Sequence, residues 1–206
     1  MKPQVIGITG RSGSGKTSLV KILLDMFGPN QLSVLSLDNY YKPRNKQKLD
    51  NEGYYNFDLP DSFDLNKFHA DLTSLVRGEE IRVPSYHYNS SEQPEFKTIT
   101  SASVVIVEGL FVNYSPIIND HIDYNVFIKL DQETSYNRRL TRDVNERNYQ
   151  QPEIKHRFFR HAEPAYKQHI EKYEALADCL LNSAFTFTSD PAFDKLVRHI
   201  NRHIKK

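Results

Sequence analysis

Apolar positions in this chain fall into short continuous runs that alternate with longer stretches of helical spacing. Residues 4–9 (QVIGIT) form the first run and read as a buried strand. Over 17–27, Leu19, Val20, Leu23, Leu24 and Phe27 recur at helical spacing, and Gly28-Pro29-Asn30 stops that helix. Residues 32–37 (LSVLSL) read as a second strand that ends at Asp38. Residues 104–107 are apolar throughout, as expected of a strand covered on both faces, and Glu108-Gly109 follows at its C-terminal end. Further strands fit 124–130 (YNVFIKL) and 180–188. Asp64 is placed to cap a helix over about 64–77, closed by Gly78. A charged helix fits 132–147, a longer helical stretch 153–178, and a closing helix 191–205 with Pro191 near its start. Strands alternating with helices predict an α/β fold, a parallel sheet with helices on both faces.

Two segments break the alternation. Residues 39–63 are polar and rich in tyrosine, asparagine and lysine, which predicts a long functional loop. Residues 81–88 and 95–100 alternate weakly around a polar turn, which predicts a small β-hairpin arm, about 81–100, projecting from the main sheet. No internal repeat, low-complexity tract or linker is visible, so residues 1–206 read as one domain.

Composition narrows the possibilities. A net charge of +1 over 206 residues gives no bulk bias toward nucleic acid or membrane. Cys179 is the single cysteine, so an internal disulfide or a multi-cysteine metal site is excluded and a reducing compartment is expected. The N-terminus lacks a signal-peptide apolar region, and no apolar run approaches the ~18 residues of a membrane span; a cytoplasmic protein is expected. Cys179 itself reads as a small buried hydrophobe. The histidines show no metal spacing: His156 and His161, and His199 and His203, are expected to have no supporting ligands nearby.

The chemistry begins at Gly10-Arg11-Ser12-Gly13-Ser14-Gly15-Lys16-Thr17, a full match to G-x-x-x-x-G-K-[ST] between a strand and a helix. Glycines let backbone N–H groups turn inward around phosphate oxygens, and the following helix N-terminus favours negative charge. Gly10, Ser12, Gly13, Ser14, Gly15, Lys16, Thr17 and Ser18 are therefore the expected nucleotide-binding set. Lys16 would reach the β- and γ-phosphates, and the Thr17 hydroxyl would ligate Mg2+. A base-reading N-K-x-D motif of GTPases is missing, since Asn45-Lys46-Gln47-Lys48 ends in lysine.

Three carboxylates lie where a doubly wound sheet would bring them to the phosphates: Asp38, Asp58 and Glu108. Phosphoryl transfer to an alcohol needs an acid that accepts the hydroxyl proton and another that holds magnesium. Asp38 is the expected general base. Glu108 is the expected magnesium ligand with Thr17, and Asp38 also counts in that shell. For Asp38 a turn or cap role is an equal reading, whereas an acid following the apolar 104–107 run requires a buried partner or a metal.

Leu35-Ser36-Leu37-Asp38-Asn39-Tyr40-Tyr41-Lys42, Asn56-Phe57-Asp58-Leu59-Pro60-Asp61-Ser62-Phe63-Asp64, Val107-Glu108-Gly109 and Arg138-Arg139-Leu140-Thr141-Arg142-Asp143-Val144-Asn145-Glu146-Arg147 stand in that order. This pattern resembles the uridine–cytidine kinase family of P-loop kinases. The resemblance implies ATP-dependent phosphorylation of the 5′-hydroxyl of uridine or cytidine. It also implies a five-stranded parallel sheet with a hairpin arm, an arginine-bearing lid at about 136–150, and a homo-oligomer. By residue, it implies Asp38 as base, Asp58 on ribose hydroxyls, Arg139 and Arg142 on phosphates, and Arg147 and Tyr86 facing the nucleoside. Departures fall on the base-reading side: Ser91 stands in place of a histidine, Asn148-Tyr149 in place of G-R, and Arg157 in place of a glutamine.

Taken alone, Arg138, Arg139, Arg142 and Arg147 on one helix suit a solvated charged face, with Arg142 pairing to Glu146. Downstream of a phosphate loop they suit charge neutralisation of a transferring phosphoryl group. The tyrosines at 40, 41, 54, 55, 86 and 88 are dense enough that Tyr41 and Tyr86 become candidates for stacking on an acceptor, while others pack the loop. The leading expectation is a nucleoside kinase using ATP and Mg2+. Alternatives are a related kinase for another small alcohol (another nucleoside, a sugar phosphate or pantothenate) and a nucleotide-binding regulator without turnover. RNA binding through the basic helix is the weakest.

Overall fold

A computed structural model describes residues 2–85, 95–184 and 186–204. Five parallel strands form the central sheet: β1 (Gln4–Gly10), β2 (Leu32–Ser36), and then, after the hairpin, three more. The hairpin strands are β5 (Ile81–Pro84) and β6 (Phe96–Ile99), which pair antiparallel. A two-residue ribbon, β3 (Lys48–Leu49) with β4 (Tyr55–Asn56), folds the long loop. The remaining sheet strands are β7 (Val104–Glu108), β8 (Tyr124–Lys129) and β9 (Cys179–Asn182), in the spatial order β2-β7-β1-β8-β9.

Alternation along the strands explains the apolar runs. Val105 and Val107 of β7 join Val5, Leu35 and Phe127 in one core, while Val104 and Ile106 join Ile6, Ile8 and Val126 in the other. Helices α1 (Lys16–Phe27) and α7 (Pro191–His203) cover the second face with Leu19, Leu23, Phe193, Leu196 and Ile200. Helix α2 (Leu65–Val76) covers the first, with Phe68, Leu72 and Leu75. A strand apolar at every position is thus one with no solvent face to spare.

Side chains set the helix starts as the sequence predicts. Asp64 accepts from Lys67 N to cap α2, and Asp190 accepts from Ala192 N ahead of Pro191 to cap α7. A short helix α3 (Pro116–Asn119) follows β7, and α4 (Gln132–Arg147) is capped by Asp131. Asn148 closes α4 at φ 55, a left-handed position that asparagine adopts more readily than most residues.

Three expectations shift. The second strand stops at Ser36, and Leu37–Tyr40 forms a tight helical turn that carries Asp38. The last strand ends at Asn182, and Phe187–Ser189 is a turn rather than strand. The long helical stretch runs as α5 (Gln151–Arg157), a π turn (Phe158–Ala162), the short α6 (Glu163–Ala165), a second π turn (Tyr166–Ile170) and a closing 3₁₀ segment (Glu171–Leu176). Cys179 is buried and donates to Ala192 O; burial pushes its thiol up to about 11, so it behaves as the small hydrophobe expected. Among the described residues no helix is long and apolar enough to cross a membrane.

Candidate active site

The loop from Gly10 to Gly15 leaves β1 and wraps to the first turn of α1. Gly10 cannot be replaced without strain: at φ 149, a Cβ there would meet the Ile128 carbonyl oxygen at 2.5 Å. Gly13, at φ 72, lies against the backbone of α4, where Ser135 Oγ donates to Ser12 O at 2.7 Å. Lys16 Nζ donates to Gly10 O at 3.2 Å and Arg11 O at 2.9 Å, which holds the ammonium over the loop mouth. Burial holds Lys16 below its ordinary pKa, opposed by the charges of Glu108 and Asp38.

A cleft of about 550 Å3 opens over this loop. Ser12, Gly13, Gly15, Lys16, Thr17 and Ser18 form its floor, with Asp38, Glu108, Asp58, Tyr41, Arg139, Arg142 and Arg147 on its walls. Gly10 and Ser14 do not line it; they form the buried back of the loop. Tyr86, Tyr88 and Ser91 lie outside the described residues.

The acids are arranged by the strand ends. Ser36 and Glu108 face each other in register between β2 and β7, and Ser36 Oγ donates to Glu108. Burial, then the nearby Asp38 charge, pushes Glu108 up to about 7. Asp38 stands more open to solvent, yet desolvation by the surrounding cleft raises it too, against the pull of Lys16, Arg147 and Arg142. Buried Glu108 and exposed Asp38, which face the same cleft beside the Thr17 hydroxyl, form a hard-oxygen donor set in which the Asp38 charge disfavours ionisation of Glu108, a conflict that a divalent cation would relieve. The residues present fit magnesium.

Asp58 meets the arginines directly. Arg139 grips it with both terminal nitrogens, at 3.0 and 3.1 Å, and both side chains are more than nine-tenths buried. Burial favours the neutral acid, yet the Arg139 charge and hydrogen bonds hold Asp58 below the usual carboxylate range. The helix is not a solvated face: Asp143, 2% exposed, meets Arg139 Nε at 3.3 Å, Arg142 at 2.8 Å and Arg147 at 3.1 Å. Arg142 therefore pairs with Asp143 rather than with Glu146. Arg138 also lines the cleft, donating to Gly13 O at 3.3 Å and to Ser183 Oγ and O at 2.6 Å.

Asn39 and Phe57 were not singled out as cleft residues by the sequence, whereas Arg157 and Tyr41 were. Asn39 and Phe57 line the cleft, and both belong to the strings that flank Asp38 and Asp58. Arg157 lines it too, donating to Tyr55 O at 3.0 Å and lying over the Tyr149 ring at 4.9 Å. Of the loop tyrosines, Tyr40 is packing, its hydroxyl donating to Asp71 at 2.7 Å, and Tyr41 reaches the cleft with its ring against Phe63. His156 and His161 are also not as expected: Asp50 sits at 2.6 and 2.7 Å from them, a ligand distant in sequence.

A phosphate loop at the end of β1, acids at the ends of neighbouring strands and an arginine helix over the same cleft define a P-loop phosphotransferase. Residues 5–187 match the family model "Phosphoribulokinase / Uridine kinase family", and the chain belongs to that family. A uridine kinase of Clostridium perfringens is 30% identical over 181 residues, 87% of each chain. A uridine kinase of Leuconostoc citreum is 33% identical over 184 residues, 88% of each chain. The solved phosphoribulokinase from Rhodobacter spheroides shares the fold at a TM-score of 0.65 and 14% identity, over 88% of this chain and 70% of that one.

Proposed function

We propose that the chain transfers the γ-phosphoryl group of Mg2+-bound ATP to the 5′-hydroxyl of a nucleoside, uridine or cytidine. The observation that carries this reading is the convergence of Lys16, Asp38, Asp58 and the α4 arginines on one cleft, together with the uridine kinase relatives.

In this reading the loop N–H groups and Lys16 hold the β- and γ-phosphates. Thr17, Glu108 and Asp38 hold the metal, which neutralises charge on the phosphate oxygens when bound. Asp38 accepts the proton of the attacking hydroxyl, and desolvation by the walls of the cleft raises its affinity for that proton. Asp58 takes the ribose hydroxyls, with Tyr41 and Arg147 beside the acceptor. Arg139 and Arg142 stabilise charge spreading over the transferring group. Residues 136–150 act as the lid that excludes water, and the chain works as one domain in the cytoplasm.

A second reading is favoured by one observation. Arg157 stands buried in the cleft wall where the family pattern has a base-reading glutamine, so the acceptor is then another small alcohol with an acceptor group for a guanidinium, such as a sugar phosphate. Turnover measured as ADP release across uridine, cytidine, other nucleosides and sugar phosphates separates the two. Asp38→Asn should keep ATP binding and lower turnover by about 10²–10⁴-fold. Unchanged turnover in that variant removes Asp38 as base, and silence with every nucleoside alongside turnover of a sugar phosphate selects the second reading.

A further inference from the structure

Asp50, His156 and His161 come together from separate parts of the chain, at one end of the β3–β4 ribbon and across the first π turn. Asp50 is held by its own loop: Oδ1 accepts the N–H groups of Glu52 and Tyr54, both at 2.9 Å. Oδ2 is left for the two imidazoles, whose Nε2 atoms lie 2.6 and 2.7 Å away. All three ligand atoms fall within 4.8 Å of one another. His156 lies at the end of α5 and His161 in the π turn that follows, and their rings stand 5.5 Å apart between centres.

We propose that Asp50, His156 and His161 form a binding site for a divalent transition-metal ion of the zinc type. Two imidazoles and one carboxylate are borderline donors, suited to Zn2+, Co2+ or Ni2+ and a poor match for Mg2+ or Ca2+. Ligand atoms at zinc stand about 3.3 Å apart, so each Nε2 must move about 0.6–0.7 Å away from Asp50 Oδ2. A neutral imidazole binds through Nε2 only as the Nδ1–H tautomer. For His156 the relocated proton meets Glu52 Oε2, 3.4 Å from Nδ1, the carboxylate partner that metal-bound histidines commonly have. For His161 the proton moves to a buried Nδ1 that has no hydrogen-bond partner, so the metal bond must outweigh an unpaired donor there as well as the lost Nε2 contact to Asp50. His161 is 3% exposed at its side chain, while His156 and Asp50 are 14% and 20% exposed; the site has a buried back and an open front for water ligands.

The ion would fasten the ribbon to the long helix. That ribbon leads within two residues to Asp58, and Tyr54 stacks on His156 at 4.5 Å between ring centres. The role is structural support of the acceptor wall, and it does not depend on which alcohol is the acceptor.

The test uses the full chain, stripped with a chelator and titrated with Co2+ while visible d–d absorption is followed. One equivalent should bind with bands that Zn2+ displaces. His156→Gln and Asp50→Asn should each weaken Co2+ binding by about tenfold or more, while His69→Gln and His199→Gln, at the other histidine pairs, should leave it unchanged. Circular dichroism checks folding; Asp50→Asn keeps the side-chain volume and the Oδ1 contacts, so it decides if His156→Gln unfolds. No saturable absorption, or bands that survive in Asp50→Asn and disappear in His69→Gln or His199→Gln, overturns the proposal.

Discussion

Asp143 holds three arginines and yet is one of the least conspicuous residues of the chain. It sits within a run of charges that reads as a wet helix face, and only its 2% exposure reveals otherwise. Glu108 was legible because an acid following a fully apolar strand has few bland explanations, whereas Asp38, for which a turn or cap role was an equal reading, stood out by its place between the phosphate loop and Asp58. Asp143 carried no such signal, since burial of a helix face depends on what packs over it. The same holds for Asp50, which lies more than a hundred residues from the histidines it meets. The Asp58–Arg139 pair makes a prediction at this scale. Removing one partner of a buried pair leaves an uncompensated charge, typically at a cost of about 3–5 kcal/mol. Because Asp143 still faces Arg139, Asp58→Ala should lose about 3 kcal/mol in urea unfolding, at the lower end of that range. Acceptor binding should weaken far more than ATP binding, read by titration of each; equal losses would remove Asp58 from the acceptor side.

At the scale of elements, the phosphate loop behaves as a rigid turn clamped between β8 and α4. Gly10→Ala would drive a Cβ into the Ile128 carbonyl, a backbone atom that cannot rotate away. The expected result is a loss of nucleotide affinity by more than about tenfold with a lowered melting temperature. Wild-type affinity would show that the loop relaxes at no cost. The starts of α2 and α7 were legible from Asp64 and Pro191 because these residues act locally, while the Asp190 cap beside Pro191 was not read. Nor were the π turns. Apolar spacing over 153–178 reports that a helix is present, but an inserted residue per turn is decided by packing of Ile154, Phe158, Ala165, Tyr166 and Ile170 against the rest of the molecule. The hairpin was legible as a pair of strands, and its turn lies outside the described residues.

Across the whole molecule, Arg11 ties the phosphate loop to the end of β8 and to the long helix that packs on one face of the sheet. This side chain, 9% exposed, donates to Leu130 O at 3.1 Å, pairs with Glu163 on the long helix, and lies 3.6 Å from the Tyr166 ring centre. In the motif Arg11 occupies a variable position, so its importance was invisible until the fold placed Glu163 beside it. Arg11→Ala strands a buried glutamate and should destabilise the chain by about 3–5 kcal/mol, whereas Arg11→Met with Glu163→Leu should recover most of the loss. A single-variant effect below about 1 kcal/mol in denaturant unfolding would show that the pair is dispensable. The Asp58–Arg139 contact has a further consequence for the enzyme's economy. Under the proposed roles, its two members serve opposite ends of the reaction, one the acceptor and one the phosphates. An acceptor that draws Asp58 to its hydroxyls frees the guanidinium for the donor, while a water molecule, with one oxygen and no second hydroxyl, competes poorly for that carboxylate. The contact is then an interlock against futile hydrolysis, and its breach in Asp58→Ala should appear as a larger share of ADP released without any acceptor consumed.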